Sequence, residues 1–517
     1  MEERYIAAVD LGSTKIALTV AKVAGDDIQI LYYKTRPSDG IRNSAVFNPA
    51  KALVPIKAAI NEAEKELNIK LMQVVVGLPR CDVRQDTATG SVERTDAGES
   101  ISAEEVESLK ESAQGTYPIE NAHEELYGSI AQSFSTDEDF QVNENDVVGM
   151  VSDKLEGNFK LFVGKKSSVK TIDKVFNNIG IAIARKYFTP ATIAKAVLTH
   201  DEMYGGVGLI DLGGGATSVT IYKEGVLRFY AAIPFGGKNV TSDIVSECSI
   251  SANLAEEIKK AYGACLPDKL QTLEEKILQI EGDEIEGYKQ IPVKYLSEII
   301  TAREKEIIEA ILWEIQQSGL SEGLRNGLVI TGGGAGMANI GTMIKDLSGY
   351  SVRVGLPRHL FSCSEIVGVN DAEAANVLGM VLAAKGDATP SCIDLLPEIK
   401  SGAEEKPSQT PAIAKDAEVR ETVAEEPSVA EVSSPEIPED AEEGESAPLI
   451  DIPEETPEER KKREREKRKA ERLQREEEER RRAEAAKHRK NTPTWFRSIS
   501  NLFNSTYDTA TGEDEEK

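Results

Sequence analysis

Residues 9–20 read VDLGSTKIALTV and residues 207–225 read VGLIDLGGGATSVTIYKEG, one pattern stated twice about 200 residues apart. Each copy is an apolar run, an Asp-x-Gly turn and a β-branched return, which predicts a β-hairpin. Glycine allows the sharp turn and brings backbone N–H groups up to an anion. The first turn offers Gly12, Ser13, Thr14 and Lys15; the second offers Gly213, Gly214, Gly215, Thr217 and Ser218. Asp10 and Asp211 end the leading strands, where a carboxylate can hold a hydrated magnesium ion beside phosphates. A duplicated hairpin of this kind predicts two similar subdomains gripping one nucleotide between them.

A third glycine segment, GLVITGGGAGMANI at residues 327–340, follows an apolar strand with Gly332, Gly333, Gly334 and Met337 and then opens a helix. Successive glycines let a flat ring or ribose lie on the backbone, and a helix N-terminus favours anions. Three such segments in this order resemble the phosphate-1, phosphate-2 and adenosine signature of the actin-like ATPases. The pattern then narrows. IPFGGKNVTSDI (233–244), ANLAEEIKKAYGACL (252–266), LSEIITAREKEIIEAILWEI (296–315) and YSVRVGLP (350–357) succeed one another as in the FtsA family. These are the actin-like proteins that tether the bacterial division ring to the membrane. The resemblance covers roughly residues 5 to 385. It implies an α/β fold of two lobes around a nucleotide cleft, with ATP and Mg2+ as ligands and Asp10 and Asp211 holding the metal through water. It also places Glu256 and Lys259 at the ribose and adenine; read alone, the two are an i,i+3 ion pair on a solvated helix face.

The resemblance carries a domain plan. Residues 1–83 and 163–195 form the first lobe, 84–162 an inserted subdomain for filament and divisome contacts, and 196–385 the second lobe. In the insert, Ser102 followed by Glu105 reads as a capping box opening a helix. Two departures bear on chemistry. Ala216 and Ser218 stand where many members carry a hydroxyl and an acidic residue, and FTPATIAKAVL (188–198) has no Glu or Gln to position a water. Nucleotide binding is therefore better supported than hydrolysis, and the chain is at most a weak ATPase.

The 517 residues are enough for about three domains of ordinary size. Five scattered cysteines, never in C-x-x-C spacing, argue against a disulfide framework or zinc site and suit a reducing compartment. Four separated histidines, His123, His200, His359 and His488, form no metal constellation. MEERYIAAVD opens with no long apolar run, so no signal peptide is expected, and no stretch reaches the length of a spanning helix.

Half of the net charge of −28 lies in residues 401–455, with 17 acidic against 3 basic residues. Rich in proline and poor in aromatics, this stretch cannot bury enough surface to fold. We expect an acidic disordered linker over 386–456. Residues 457–490 then read as a lone charged helix laced with Glu–Arg and Glu–Lys pairs. Their interleaved acids argue against nucleic-acid binding. TPTWFRSISNLFNSTYD (492–508) begins with Thr492 as N-cap and Pro493 at the first helical position. Trp495, Phe496, Ile499, Leu502 and Phe503 fall within an arc of about 120° at 100° per residue. This predicts an interfacial membrane helix over 493–507, with Arg489 and Lys490 beside it to meet anionic headgroups. It resembles the family's C-terminal membrane-targeting helix.

By resemblance, then, the chain is expected to bind ATP and to polymerise head to tail at the cytoplasmic face of the inner membrane, at the division site. Residues from about 242 to 322 would receive the C-terminal peptide of FtsZ, and later division proteins would be recruited. Two alternatives share the scaffold. A small-molecule kinase would need a general base facing an acceptor hydroxyl, and the sequence offers no candidate for one. A pilus-assembly-type scaffold would leave the terminal amphipathic helix unused.

Overall fold

The computed structural model describes residues 3–94, 98–119, 121–281, 288–358, 360–363 and 366–395. The charged block 457–490 and the amphipathic segment 493–507 lie outside them, as do residues 396–456 of the acidic stretch.

Both glycine hairpins form. Arg4–Leu11 and Lys15–Ala24 pair antiparallel, closing with Leu11 opposite Ile16 around Gly12, Ser13 and Thr14. Val207–Leu212 and Thr217–Lys223 close in the same way, Leu212 opposite Thr217 around the glycines. The four strands are buried almost throughout, as near-continuous apolar runs require when both faces of a sheet are covered.

Each hairpin belongs to its own sheet. The first runs in the order Ala182–Tyr187, Gln73–Gly77, Arg4–Leu11, Lys15–Ala24, Asp27–Pro37, Ser362–Cys363. The second runs Val226–Ile233, Thr217–Lys223, Val207–Leu212, Leu328–Thr331, Val352–Val354. Helices Thr189–Val197 and Ala375–Gly386 share one apolar core with residues of both sheets, among them Ile6, Val75, Leu209 and Val329. They approach closely because Gly379 has no Cβ; one would lie 2.5 Å from the Thr192 carbonyl oxygen. Helices Pro49–Leu67 and Lys166–Ile179 cover the outer face of the first sheet. Gly237–Cys248, Ala252–Tyr262, Val293–Gln317 and Ile340–Ser348 pack on the second. This is the actin-like arrangement of two lobes about a cleft.

Between the lobe-one strands stands a separate sheet of Arg84–Glu93, Lys154–Lys165 and Glu124–Ser135. Helix Ala103–Thr116 lies on it, opened by the capping box: Glu105 N–H donates to Ser102 Oγ at 3.2 Å, and Ser102 N–H to Glu105 Oε2 at 2.8 Å. Its own core centres on Phe134 and Phe159, edge to face at 5.9 Å. The ladder runs on to Lys165 opposite Glu124, three residues past the expected end at 162.

Two expected boundaries move for a long-range reason. The second lobe does not hold its chain to 385: Ser362–Cys363 pairs with Asp27–Pro37, and Ala375–Gly386 returns to the first sheet, where Arg4 donates to the Lys385 and Thr389 carbonyls at 2.7 and 3.1 Å. Nor does the linker begin at 386. Cys392 N–H donates to the Tyr5 carbonyl at 2.6 Å, and Ile393–Leu395 pairs with Ile69–Leu71. Cys392 and Ile393 are buried there, so a short apolar run just ahead of the acidic stretch belongs to the first lobe.

The edge strand Val226–Ile233 is covered by the inserted sheet. Gln85 makes a two-point contact with Tyr230, accepting from its N–H at 2.9 Å and donating to its carbonyl at 2.5 Å. Gln132 donates to the Leu227 carbonyl at 3.0 Å, and Lys160 donates to that of Arg228. Side chains thus satisfy an edge that would otherwise template pairing. Among the described residues no helix is long and apolar enough to cross a membrane.

Candidate functional site

The parallel pairing of Val207–Leu212 with Leu328–Thr331 sets Asp211 opposite Thr331, so the third glycine turn starts beside the second hairpin turn. The first hairpin turn faces it from the other lobe. A Cβ on Gly215 would lie 2.5 Å from Ser13 Oγ, so loop one presents its hydroxyl to bare backbone of loop two. Lys238, at the start of the next helix, donates from its N–H to the Gly214 carbonyl at 2.7 Å and from Nζ to the Ser13 carbonyl at 2.5 Å.

Between these loops is a cleft of about 310 Å3. Its walls carry Asp10, Gly12, Ser13, Thr14 and Lys15 from one lobe. From the other come Asp211, Gly213, Gly214, Gly215, Glu256, Lys259, Gly332, Gly333, Gly334 and Met337. The structure therefore gathers fifteen of the seventeen residues read from the sequence for the nucleotide. Ser218 is buried in the strand opposite Asp211, and Thr217 is the other exception. It sits inside the sheet, and its hydroxyl donates to the Phe235 carbonyl at 2.9 Å. The five membrane-helix residues from Trp495 to Phe503 lie outside the described residues.

Glu256 and Lys259 are the expected ion pair, at 2.6 Å, but at the cleft rather than on a solvated face. Lys259 Nζ also donates to the Gly237 carbonyl at 2.9 Å and to Thr241 Oγ1 at 2.8 Å, while Thr241 donates to Glu256 Oε2 at 2.5 Å. Burial raises the Glu256 carboxyl, and the hydrogen bonds from Lys259 and Thr241 outweigh it, leaving the group below its usual value. Gly263 brings Met337 onto the same wall; a Cβ there would lie 3.0 Å from Met337 Sδ.

Four wall residues have no local signature. Glu373 pairs with Lys15 at 2.5 Å. Asn376 is buried, and its Oδ1 has no hydrogen-bond partner among the described residues. Glu304, from the long helix Val293–Gln317, is 5% exposed, and burial pushes its carboxyl up to about 7 against the pull of Lys259. Arg80 is the fourth. Its Nη1 donates to Asp211 Oδ2, and its Nη2 lies 3.9 Å from Asp10 Oδ1. Burial raises the Asp10 carboxyl, with Arg80 and Lys15 drawing it back down.

That geometry tests the magnesium expectation. Asp211 already gives one oxygen to a guanidinium, and the same guanidinium stands toward Asp10. A hydrated ion shared by these two carboxylates does not fit the arrangement; a cation is already there. The rest of the site suits a phosphorylated ligand: opposed glycine turns, Lys15, and a walled recess at Glu256, Lys259 and Met337.

The comparisons with known proteins agree with this architecture. The family described as "FtsA: Cell division protein FtsA" matches residues 208–379. The cell division protein FtsA of Neisseria meningitidis serogroup B is 29% identical over 368 residues, covering 71% of this chain and 87% of that protein. Its namesake in Bacillus subtilis is 26% identical over 380 residues, covering 73% and 83%. Among solved structures, a PilM–PilN type IV pilus biogenesis complex superposes with a TM-score of 0.52 at 14% identity, over 73% of this chain and 98% of that one. At that identity the superposition speaks for the fold alone. The family match over the second lobe and the relatives aligned along most of both chains make this chain similar to the FtsA cell division proteins.

Proposed function

We propose that this chain is an ATP-binding, membrane-anchored filament former that ties FtsZ to the inner face of the cytoplasmic membrane and helps bring in later division proteins. The observation that carries the nucleotide part is the opposition of the two hairpin turns across one cleft, Ser13 against Gly215. Phosphates would lie between Gly12–Lys15 and Gly213–Gly215, the ribose at Glu256, and the base at Lys259, Met337 and the turn Gly332–Gly334. The nucleotide is proposed without the magnesium ion, whose place Arg80 takes. No residue of 188–198 positions a water, so turnover is slow or absent.

The adaptor part is supported by the likeness to FtsA cell division proteins and by the amphipathic stretch 493–507. The fold alone is equally that of the pilus protein, whereas the sequence relatives are division proteins. The test is co-sedimentation of the full chain with anionic vesicles and FtsZ, with and without ATP. FtsZ should pellet only when the chain is present, and the chain should pellet more completely with ATP as filaments add avidity. FtsZ remaining in the supernatant under both conditions overturns the adaptor reading. A second arm titrates the FtsZ C-terminal peptide against the chain, with residues of 242–322 as the expected receiving face.

A further inference from the structure

Arg80 follows the strand Gln73–Gly77 in a short connection that leads into the inserted sheet. Its main chain is anchored to the other lobe: the Tyr230 hydroxyl donates to the Arg80 carbonyl at 2.5 Å, and Tyr230 is buried. The side chain is 8% exposed and runs into the cleft. It ends between two buried carboxylates that belong to different lobes, in contact with Asp211 and 3.9 Å from Asp10.

Two buried carboxylates facing one space need a positive charge between them, because like charges in a low-dielectric site repel and each alone is costly to bury. A divalent ion commonly meets that need beside phosphates. Here a guanidinium meets it. Its planar fork carries five donors, so one edge can hold a carboxylate while another remains for an oxyanion. The neighbouring cation, Lys15, is paired with Glu373 at 2.5 Å. Arg80 is thus the cation placed between the two hairpin carboxylates.

We infer that Arg80 is the resident cation of this cleft: it takes the position between Asp10 and Asp211 that a hydrated divalent ion would hold, and it offers its remaining N–H groups to the phosphates, so that a nucleoside polyphosphate binds without a metal requirement. This rests on the nucleotide reading of the cleft given above. It turns a metal-dependent junction between lobes into one that the polypeptide supplies itself. Removing Arg80 leaves the carboxylates uncompensated and creates a divalent-cation site where none is needed.

The experiment uses the full chain, with ATP binding measured by calorimetry in EDTA and in excess Mg2+, and melting temperature followed against Mg2+ alone. Wild type should bind ATP within about threefold in the two buffers, and Mg2+ should move its melting point no more than NaCl of equal ionic strength. Arg80→Ala should bind about tenfold or more weakly in EDTA, the scale of one charged hydrogen bond, and recover with Mg2+. Its melting point should rise on adding Mg2+ without nucleotide. Arg80→Lys keeps a charge between the carboxylates and serves where the alanine variant folds poorly; it should still bind ATP in EDTA, with reduced affinity. Wild-type affinity falling about tenfold or more in EDTA, or an alanine variant indifferent to Mg2+, overturns the inference while the nucleotide reading stands. Absence of ATP binding in both buffers overturns the two together.

Discussion

Gly12 and Gly213 stand in the same relation to their own loops. A Cβ on Gly12 would lie 2.5 Å from the Lys15 carbonyl oxygen, and one on Gly213 would lie 2.5 Å from that of Ala216. Each glycine is three residues ahead of the oxygen it must clear, so the two turns are copies in backbone as well as in sequence.

Either Gly12→Ala or Gly213→Ala should therefore push its turn apart. Overpacking of this kind costs about 1–3 kcal/mol, and the distortion falls where phosphate would bind. Denaturant titration should show the stability loss, and calorimetry an ATP affinity reduced by about tenfold or more, roughly one charged hydrogen bond. Wild-type affinity in both variants would remove the loops from the binding site.

At Gly334 the obstruction is Leu212 of the second lobe. An added Cβ would lie 2.8 Å from Leu212 Cβ and 3.1 Å from its carbonyl oxygen. Gly334→Asp adds a negative charge to that bulk, beside the proposed adenosine. ATP binding should be lost, with the far-UV circular dichroism of the folded chain retained. An unchanged dissociation constant would show that the turn does not carry the nucleotide.

Glu304 sets a pH dependence whose sign is fixed by its burial. The unfolded chain releases this proton near 4.5, whereas the folded protein holds it to about 7. Between those values the folded state binds more protons, so stability falls as pH rises. The contribution is full below 4.5 and lost as pH passes 7, a change on the order of 3 kcal/mol. Glu304→Gln should flatten this part of a melting-temperature profile and be the more stable protein at pH 8. A variant with the wild-type slope would show that Glu304 is not the group responsible.

Gln85 joins the inserted sheet to the second lobe through both hydrogen-bonding groups of Tyr230. Gln85→Leu keeps the size and leaves that N–H and carbonyl without partners, which costs about 1–3 kcal/mol. The melting temperature should drop, and amide exchange at Tyr230 should speed up relative to the rest of its strand. Equal protection in the two proteins would mean that the edge is held by something else.

Trp495→Glu with Phe503→Glu should release the full chain from anionic vesicles while leaving ATP binding intact. Each buried side chain of this size is worth roughly 1.5–3 kcal/mol, reduced by partial insertion. Arg489 and Lys490 would add about 1 kcal/mol per charge near an anionic surface, weakened by salt. Co-sedimentation of the double variant at the wild-type level would mean that the membrane anchor is elsewhere or absent.

What the sequence by itself determined was local: where the chain must turn, cap or stay apolar. The Asp-x-Gly hairpins, the glycine turn at 332–334 and the capping box at Ser102 depend on backbone freedom and short-range hydrogen bonds, which a few adjacent residues settle. The amphipathic reading of 493–507 rests on the same kind of local pattern, and that stretch lies outside the described residues. Tertiary structure decided what depends on distant residues meeting. Arg80 touches Asp211 across 131 positions, and Glu304, Glu373 and Asn376 reach the cleft from helices or a connection with no glycine signal of their own. Thr217 shows the limit from the other side. It lies two residues past Gly215, yet strand register turns its hydroxyl to Phe235 and away from the cleft. The returns of Ser362–Cys363 and Ile393–Leu395 were hidden likewise, because a short strand becomes one only when another strand's edge supplies its hydrogen bonds.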